Sequence, residues 1–323
     1  MQLPRRKFLQ LAAGATVLAA APRGAAGQGY PVRPVRLIVG FPPGTATDTD
    51  ARLIAQSLSE RLGQQFIVDN RTGAGTNIAV ESVVRSDPDG YTLLMITVTN
   101  AVNATLYRGL KFELVRDIAP VAGTMRTANV LVVNPAVPAH TVPEFIAYLK
   151  AHPGKVNYAS NGHGSAPNMA AELFKSMAGV DMVHVPYRSS FTPDLIGGQV
   201  QVAFTPIPLS IAFIRDGKLR ALAVTGVKRS DALPGIPTVA EFVPGYVADV
   251  WHGVGAPKDT PTDVIARLNK EIGAALADPA MKAKFANLGA EPMPMTPGEF
   301  GQFVVAEIDK WAKVVRFAGV TME

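Results

Sequence analysis

Short β-branched runs alternate with amphipathic stretches along most of this chain, and that alternation restricts its fold more than any other feature. Residues 35–39 form a compact apolar strand pattern, and residues 49–62 then place Leu53, Ile54, Leu58 and Leu62 at helical spacing. Residues 66–68 read as a strand, 78–84 as a helix and 92–96 as a further strand. The rhythm returns at 130–133, with a helix over 142–152, a strand at 157–159, a helix over 167–177, and strands at 182–185, 200–204 and 219–224. Such alternation predicts an α/β fold of parallel sheets flanked by helices. Two such units follow one another, and with 48% apolar residues they can bury a substantial core. An apolar segment at 247–256 carries the chain back to the first unit, and the helices expected over 261–277 and 296–317 complete it. Lobe one is therefore expected to comprise residues 28–127 and 250–323, and lobe two residues 128–249, with hinges near 125–130 and 247–251.

The first 27 residues read as an export signal. Arg5, Arg6 and Lys7 precede an uncharged, alanine-rich run at 11–21 and then small residues up to Gly27. The run is too short for a membrane span, which needs about 20 residues. Arg5-Arg6-Lys7-Phe8-Leu9 resembles a twin-arginine signal, so the mature body is expected in the periplasm. Of the 31 basic residues, four lie in this leader, leaving 27 against 26 acidic ones. The basicity thus belongs to targeting, and a nucleic-acid partner is not expected. The absence of cysteine excludes disulfides, thiolate catalysis and cysteine zinc sites. His140, His152, His184 and His252 are too dispersed to suggest a helical metal pair, so neither metal nor cofactor is expected.

Two strand-to-helix loops carry the chemistry. The first is Phe41-Pro42-Pro43-Gly44-Thr45-Ala46-Thr47-Asp48, with Asp48 suited to cap the following helix. The second is Ser160-Asn161-Gly162-His163-Gly164-Ser165-Ala166-Pro167, with Pro167 suited to a first helical turn. Small residues let backbone N–H groups approach a ligand, and a helix start adds unpaired donors and partial positive charge. Neither loop contains Lys or Arg, which suits a carboxylate better than a polyphosphate. Read one at a time, each loop is better explained as a tight βα turn; one in each unit favours binding.

Further motifs carry a family resemblance. Asp69-Asn70-Arg71-Thr72-Gly73-Ala74-Gly75-Thr76-Asn77-Ile78, Asp87-Pro88-Asp89-Gly90-Tyr91, His184-Val185-Pro186-Tyr187 and Leu233-Pro234-Gly235-Ile236-Pro237-Thr238 follow the first loop in order. From about residue 30 onward the chain resembles the Bug-type receptors, the periplasmic substrate-binding proteins of tripartite tricarboxylate transporters. The resemblance implies a type II periplasmic-binding fold, whose two lobes close over a small mono- or dicarboxylate for delivery to integral-membrane permease subunits. It also implies a non-catalytic protein, expected to be monomeric.

Carried over from the family, the site comprises Pro43, Gly44, Thr45, Ala46, Thr47 and Asp48; Thr97, Thr99 and Asn100; and Ser160, Asn161, Gly162, His163, Gly164 and Ser165. Tyr187, Arg188 and Thr205 join it, at positions where relatives usually have Tyr-Lys-Gly and an acidic residue. Loss of that acid disfavours an amino-acid ligand, whose buried ammonium would want a carboxylate partner. Pro206 and Pro208 make the segment stiff and apolar, which suits an aromatic or alkyl carboxylate. Two other readings stay open on residues alone: an exported hydrolase using Ser165 and His163, and a ligand sensor docking to a membrane signalling protein. Changing Arg5 and Arg6 together to lysine is expected to retain the precursor inside the cell. Fractionation with an antibody against the mature body checks this, and unchanged periplasmic yield would exclude the twin-arginine route.

Overall fold

The computed structural model describes residues 29–187 and 190–322; the expected export signal lies outside the described residues. The chain divides into a unit ending at Val32 and a body from Arg33 onward, and the body carries the architecture. Its first elements are β1 (Val35–Val39), α1 (Ala46–Leu62), β2 (Phe66–Asn70), α2 (Asn77–Val84), β3 (Thr92–Thr97), α3 (Val98–Leu106) and α4 (Leu114–Asp117). Next come β4 (Ile118–Val133), α5 (Val142–Ala151), β5 (Asn157–Ser160), α6 (Ala166–Ala178), β6 (Val183–Pro186), α7 (Thr192–Ile196), β7 (Val202–Pro206), α8 (Ile207–Arg215) and β8 (Arg220–Val224). The chain returns through β9 (Asp249–Pro257), α9 (Thr262–Ala277), α10 (Pro279–Asn287), β10 (Ala290–Pro292) and α11 (Pro297–Ala318).

Local chemistry sets the main helix ends. Thr45 caps α1 and Ser165 caps α6, each hydroxyl accepting the N–H three residues on. Thr296 and Glu299 form a reciprocal capping box on α11. Gly63, Gly179 and Gly319 end these three helices in the left-handed conformation that glycine adopts without a Cβ clash. Asp48, expected as the cap of α1, lies one turn inside the helix instead.

Strand order is β2-β1-β3-β9-β4-β7-β5-β6, with β10 and β8 also on β4. β1 is parallel to β2 and β3, β9 is antiparallel to β3, and β4 is antiparallel to β9. β4 therefore runs in the same sense as β1 and β3. Up to Ala128 it pairs with β9, and from Asn129 it pairs with β7, which runs antiparallel to it and parallel to β5. The carboxyl ends of β1 to β3 thus point along β4 toward the second half-sheet, while those of β5 to β7 point back. Both chemical loops leave strands at these facing ends.

The sequence-based elements correspond to observed ones with shifted ends, but several were not anticipated. β4 was expected only over 130–133; it begins at Ile118, and Pro120 and Gly123 hide its first half, where the pairing with β9 is irregular. α3 follows β3 without a loop: Thr97 and Asn100 stop the strand and open a helix despite the β-branched Val98 and Thr99. α8 and α10 were also missed.

Trp251, at the start of the return strand, is fully buried against the rings of Phe300 and Phe303 on α11. Its indole N–H donates to Glu307 Oε2 at 2.7 Å, and the Trp311 indole donates to the same oxygen at 2.9 Å. This buried carboxylate joins α11 to β9, and Lys310 partners its other oxygen. Glu307→Ala leaves two buried indole donors unpaired, at about 1–3 kcal/mol each. Urea denaturation is expected to show a loss of roughly 2–6 kcal/mol from that cause with an unchanged m value.

Candidate functional site

At the first loop, Gly44 has a φ of +82°, and its N–H donates to Asp48 Oδ2 at 2.9 Å. The same oxygen accepts from Arg52 Nε, while Oδ1 accepts from Asn70 Nδ2, both at 2.9 Å. The Asp48 carboxylate is consequently held below its ordinary pKa by these hydrogen bonds and the Arg52 charge, although burial, the largest single influence, opposes them. Asp48 shapes the loop from beneath. Thr45 Oγ1 donates to Pro42 O at 2.8 Å, and the Thr47 hydroxyl turns inward to His252 Nε2 at 3.1 Å. Among the described residues, the N–H groups of Ala46 and Thr47 find no intramolecular acceptor. Pro43, Gly44 and Ala46 are exposed beside them.

The second loop follows the same plan. Gly162 and Gly164 have φ of +104° and +75°, and a Cβ on Gly164 would lie 2.5 Å from Leu106 of α3. Its N–H donates to Asn168 Oδ1 at 3.0 Å; Asn168 Nδ2 donates to the Tyr158 hydroxyl, which donates to Glu172 Oε1 at 2.5 Å. Lys175 closes this chain at 3.2 Å from the same Glu172 oxygen. Ser160 Oγ accepts the Gly162 N–H at 3.0 Å and lies 2.6 Å from His184 Nε2. Ser165 Oγ donates to Gly162 O at 2.7 Å as it caps α6. Among the described residues, the N–H groups of Asn161, His163 and Ala166 remain without an intramolecular acceptor.

Other expected site residues are distributed around these loops. Thr97 donates through its N–H and its hydroxyl to Asn100 Oδ1, and Asn100 Nδ2 donates to Thr76 Oγ1 at 2.8 Å. That pair is therefore spent on opening α3, while Thr99 beside it is half-buried. Thr205 is buried at the end of β7, opposite Val130. The Tyr187 hydroxyl donates to Asp194 at 2.8 Å, and burial together with that carboxylate raises its pKa. Arg188 lies outside the described residues. Trp251, equally compatible by sequence with the hinge core and the cleft wall, belongs to the core.

Sequence reasoning missed His184, Asp50 and His252 as partners of the loops. His184 stacks on Tyr158 at 4.9 Å and meets the exposed His163 edge-on at 4.7 Å. Burial first, then the neighbouring His163 and Lys175, push its pKa down to about 4. The neutral ring pairs with Ser160 Oγ through Nε2, and the same hydroxyl accepts from Gly162 N–H and lies 3.2 Å from Gly162 O. Only the folded chain brings these residues together. The hydrolase reading fails on geometry: Ser165 is hydrogen-bonded to Gly162 and Asn168, while His163 packs against His184. A concavity of about 630 Å³ lies elsewhere, lined by Lys228, Asp231, Lys282 and Glu291. Lys228 already pairs with Glu291 there at 3.1 Å, so that surface has mixed charge and no preference for an anion.

Facing strand ends, each carrying a helix start with free N–H donors, define a solute-binding protein of two α/β lobes with a cleft between them. A family model described as the tripartite tricarboxylate transporter family receptor matches residues 50–320, and the chain belongs to that family. The protein BugT of Bordetella pertussis is 38% identical over 299 residues, covering 91% of this chain and 92% of BugT. A Rhodopseudomonas palustris protein solved with adipate is 38% identical with a TM-score of 0.77, covering 90% of this chain and 99% of that one. MatC from the same organism, solved with bound malate, is 31% identical with a TM-score of 0.73, covering 88% of this chain and 100% of MatC. Proteins of this family are periplasmic substrate-binding receptors and not enzymes. Among the described residues no helix is long and apolar enough to cross a membrane.

The depressed His184 pKa has a stability consequence with a definite sign. The unfolded chain takes up a proton near 6.5, whereas the folded protein resists it until about 4. The contribution is therefore complete above pH 6.5 and is lost as pH falls toward 4. His184→Gln keeps a partner for Ser160 but cannot titrate. The gap between wild-type and variant melting temperatures is expected to move in favour of the variant between pH 7 and pH 4.5, as scanning calorimetry would register.

Proposed function

We propose that this protein is a periplasmic receptor that captures a small mono- or dicarboxylate and presents it to the permease subunits of a tripartite transporter. The observation that carries this reading is the set of five N–H groups without an intramolecular acceptor among the described residues, those of Ala46, Thr47 and Ala166 at two helix starts and those of Asn161 and His163 in the loop before the second, on facing strand ends. Helix starts favour negative charge, and backbone donors without a neighbouring Lys or Arg suit a carboxylate. The relatives solved with adipate and malate support the same ligand class. Thr205, buried at the end of β7, offers no anion to an ammonium group, which favours acids without an amino group. In this reading the lobes, residues 28–127 with 250–323 and residues 128–249, close about the β4 and β9 crossings. Ligand contacts on both sides favour the closed state and turn occupancy into a shape the permease recognises. The protein acts as a monomer.

Calorimetric titration with adipate, malate and glutamate tests the reading, with saturable binding expected for at least one non-amino acid and weaker binding for glutamate. Small-angle scattering at saturation should show a smaller radius of gyration than without ligand. Ala46 and Ala166 each occupy the first position of a helix, where proline is tolerated but has no N–H. Ala46→Pro and Ala166→Pro are each expected to weaken the bound acid by about 1.5–3 kcal/mol, roughly 10- to 150-fold in Kd, with little change in melting temperature. Undiminished affinity in both variants would show that backbone N–H groups do not hold the acid.

A further inference from the structure

We infer that His252 is a positioning residue for the anion-binding start of α1, acting through the Thr47 hydroxyl. This inference rests on the proposed carboxylate site. It is carried by a buried hydrogen-bond relay joining three elements: Thr47 and Asp50 on α1, His252 on β9 and Thr124 on β4. His252 Nε2 lies 3.1 Å from Thr47 Oγ1, and its Nδ1 lies 3.1 Å from Asp50 Oδ2. Thr124 Oγ1 donates to the same Asp50 oxygen at 2.8 Å. Asp50 is fully buried and His252 nearly so, which makes water a poor substitute for either partner.

The chemistry of the relay fixes its direction. A carboxylate oxygen accepts, so Nδ1 of His252 carries a proton toward Asp50, and in the neutral ring that tautomer leaves Nε2 as an acceptor. Only the Thr47 O–H can then close the contact at Nε2. Thr47 is the second residue of α1, and its own N–H is one of the unpaired donors. With its hydroxyl tethered inward, the side chain cannot swing round to interfere with its own amide or with that of Ala46. The adjoining amides are presented in one orientation, which removes an ordering cost from ligand binding. His252 also sits opposite Thr97 of β3 and Met125 of β4, so the loop is referenced to the middle of the first half-sheet.

Two measurements test this. Nitrogen-15 NMR of the ligand-free protein is expected to show His252 with Nδ1 protonated and Nε2 unprotonated; a protonated Nε2, in the opposite tautomer or in a charged ring, overturns the inference. Adipate and malate titrations of Thr47→Val, His252→Phe and the double variant then test the route, with His252→Gln replacing His252→Phe should the latter not fold. Each single change is expected to weaken binding about 5- to 20-fold, as for one lost hydrogen bond, and the double change no more than the weaker-binding single. Additive losses would mean that His252 acts independently of Thr47 and overturn the inference alone. Wild-type protein that binds no carboxylate would overturn the receptor reading beneath it, an outcome distinguishable from either of these.

Discussion

The direction of one long strand organises this molecule. β4 spans residues 118–133, pairing with the returning strand β9 in its first part and with β7 and β8 in its last. Because β7 is antiparallel to β4 while β1 to β3 run with it, the carboxyl ends of both sets of parallel strands face one another. Ligands of open α/β sheets sit outside the carboxyl ends of strands. The fold therefore creates one shared cleft from two half-sites, neither of which would enclose a ligand by itself. The chain crosses between the halves on β4 and returns on β9.

At the two loops, side chains and backbone divide the work. Asp48, Asn70, Thr45 and Thr47 are bonded around the first loop, and Ser160, Asn168, His184 and Ser165 are bonded around the second. Their hydrogen bonds hold glycine-bearing loops in open conformations with positive φ. What they leave free is a set of backbone N–H groups at helix starts. Such a site is preorganised for negative charge but has few side chains to discriminate one acid from another.

Buried polar groups make this preorganisation durable. Glu307 joins α11 to Trp251, and the Tyr158–Glu172–Lys175 chain anchors the second loop from beneath. Each is a buried acid that accepts from indole, phenol or ammonium groups, which fixes the position of its carboxyl group. The two loops thus rest on networks whose geometry is fixed by packing.

Much of this was legible in the linear chain. Strand and helix periodicity located β1 to β3, β5 to β9 and the long helices, because period two and period 3.6 are written locally in apolar spacing. Glycine, proline and small hydroxyl residues marked both cleft loops for the same reason. The first half of β4 and the helix α3 were not legible, since pairing across the sheet overrode the proline and glycine of the one and a capping pair overrode the β-branched start of the other. Asp48 was read as a cap because an acid at a helix start fits that role; only the folded loop shows Thr45 taking it while Asp48 braces Gly44 and Asn70. The alliances of His252 with Thr47 and Asp50, and of His184 with Ser160, join residues between 24 and 205 positions apart. Sequence by itself determined most of the elements and marked the two glycine-bearing loops, because these follow from local backbone chemistry. Tertiary structure alone decided which N–H groups stay free and which histidines hold the loops, because that depends on contacts made only when distant strands pair.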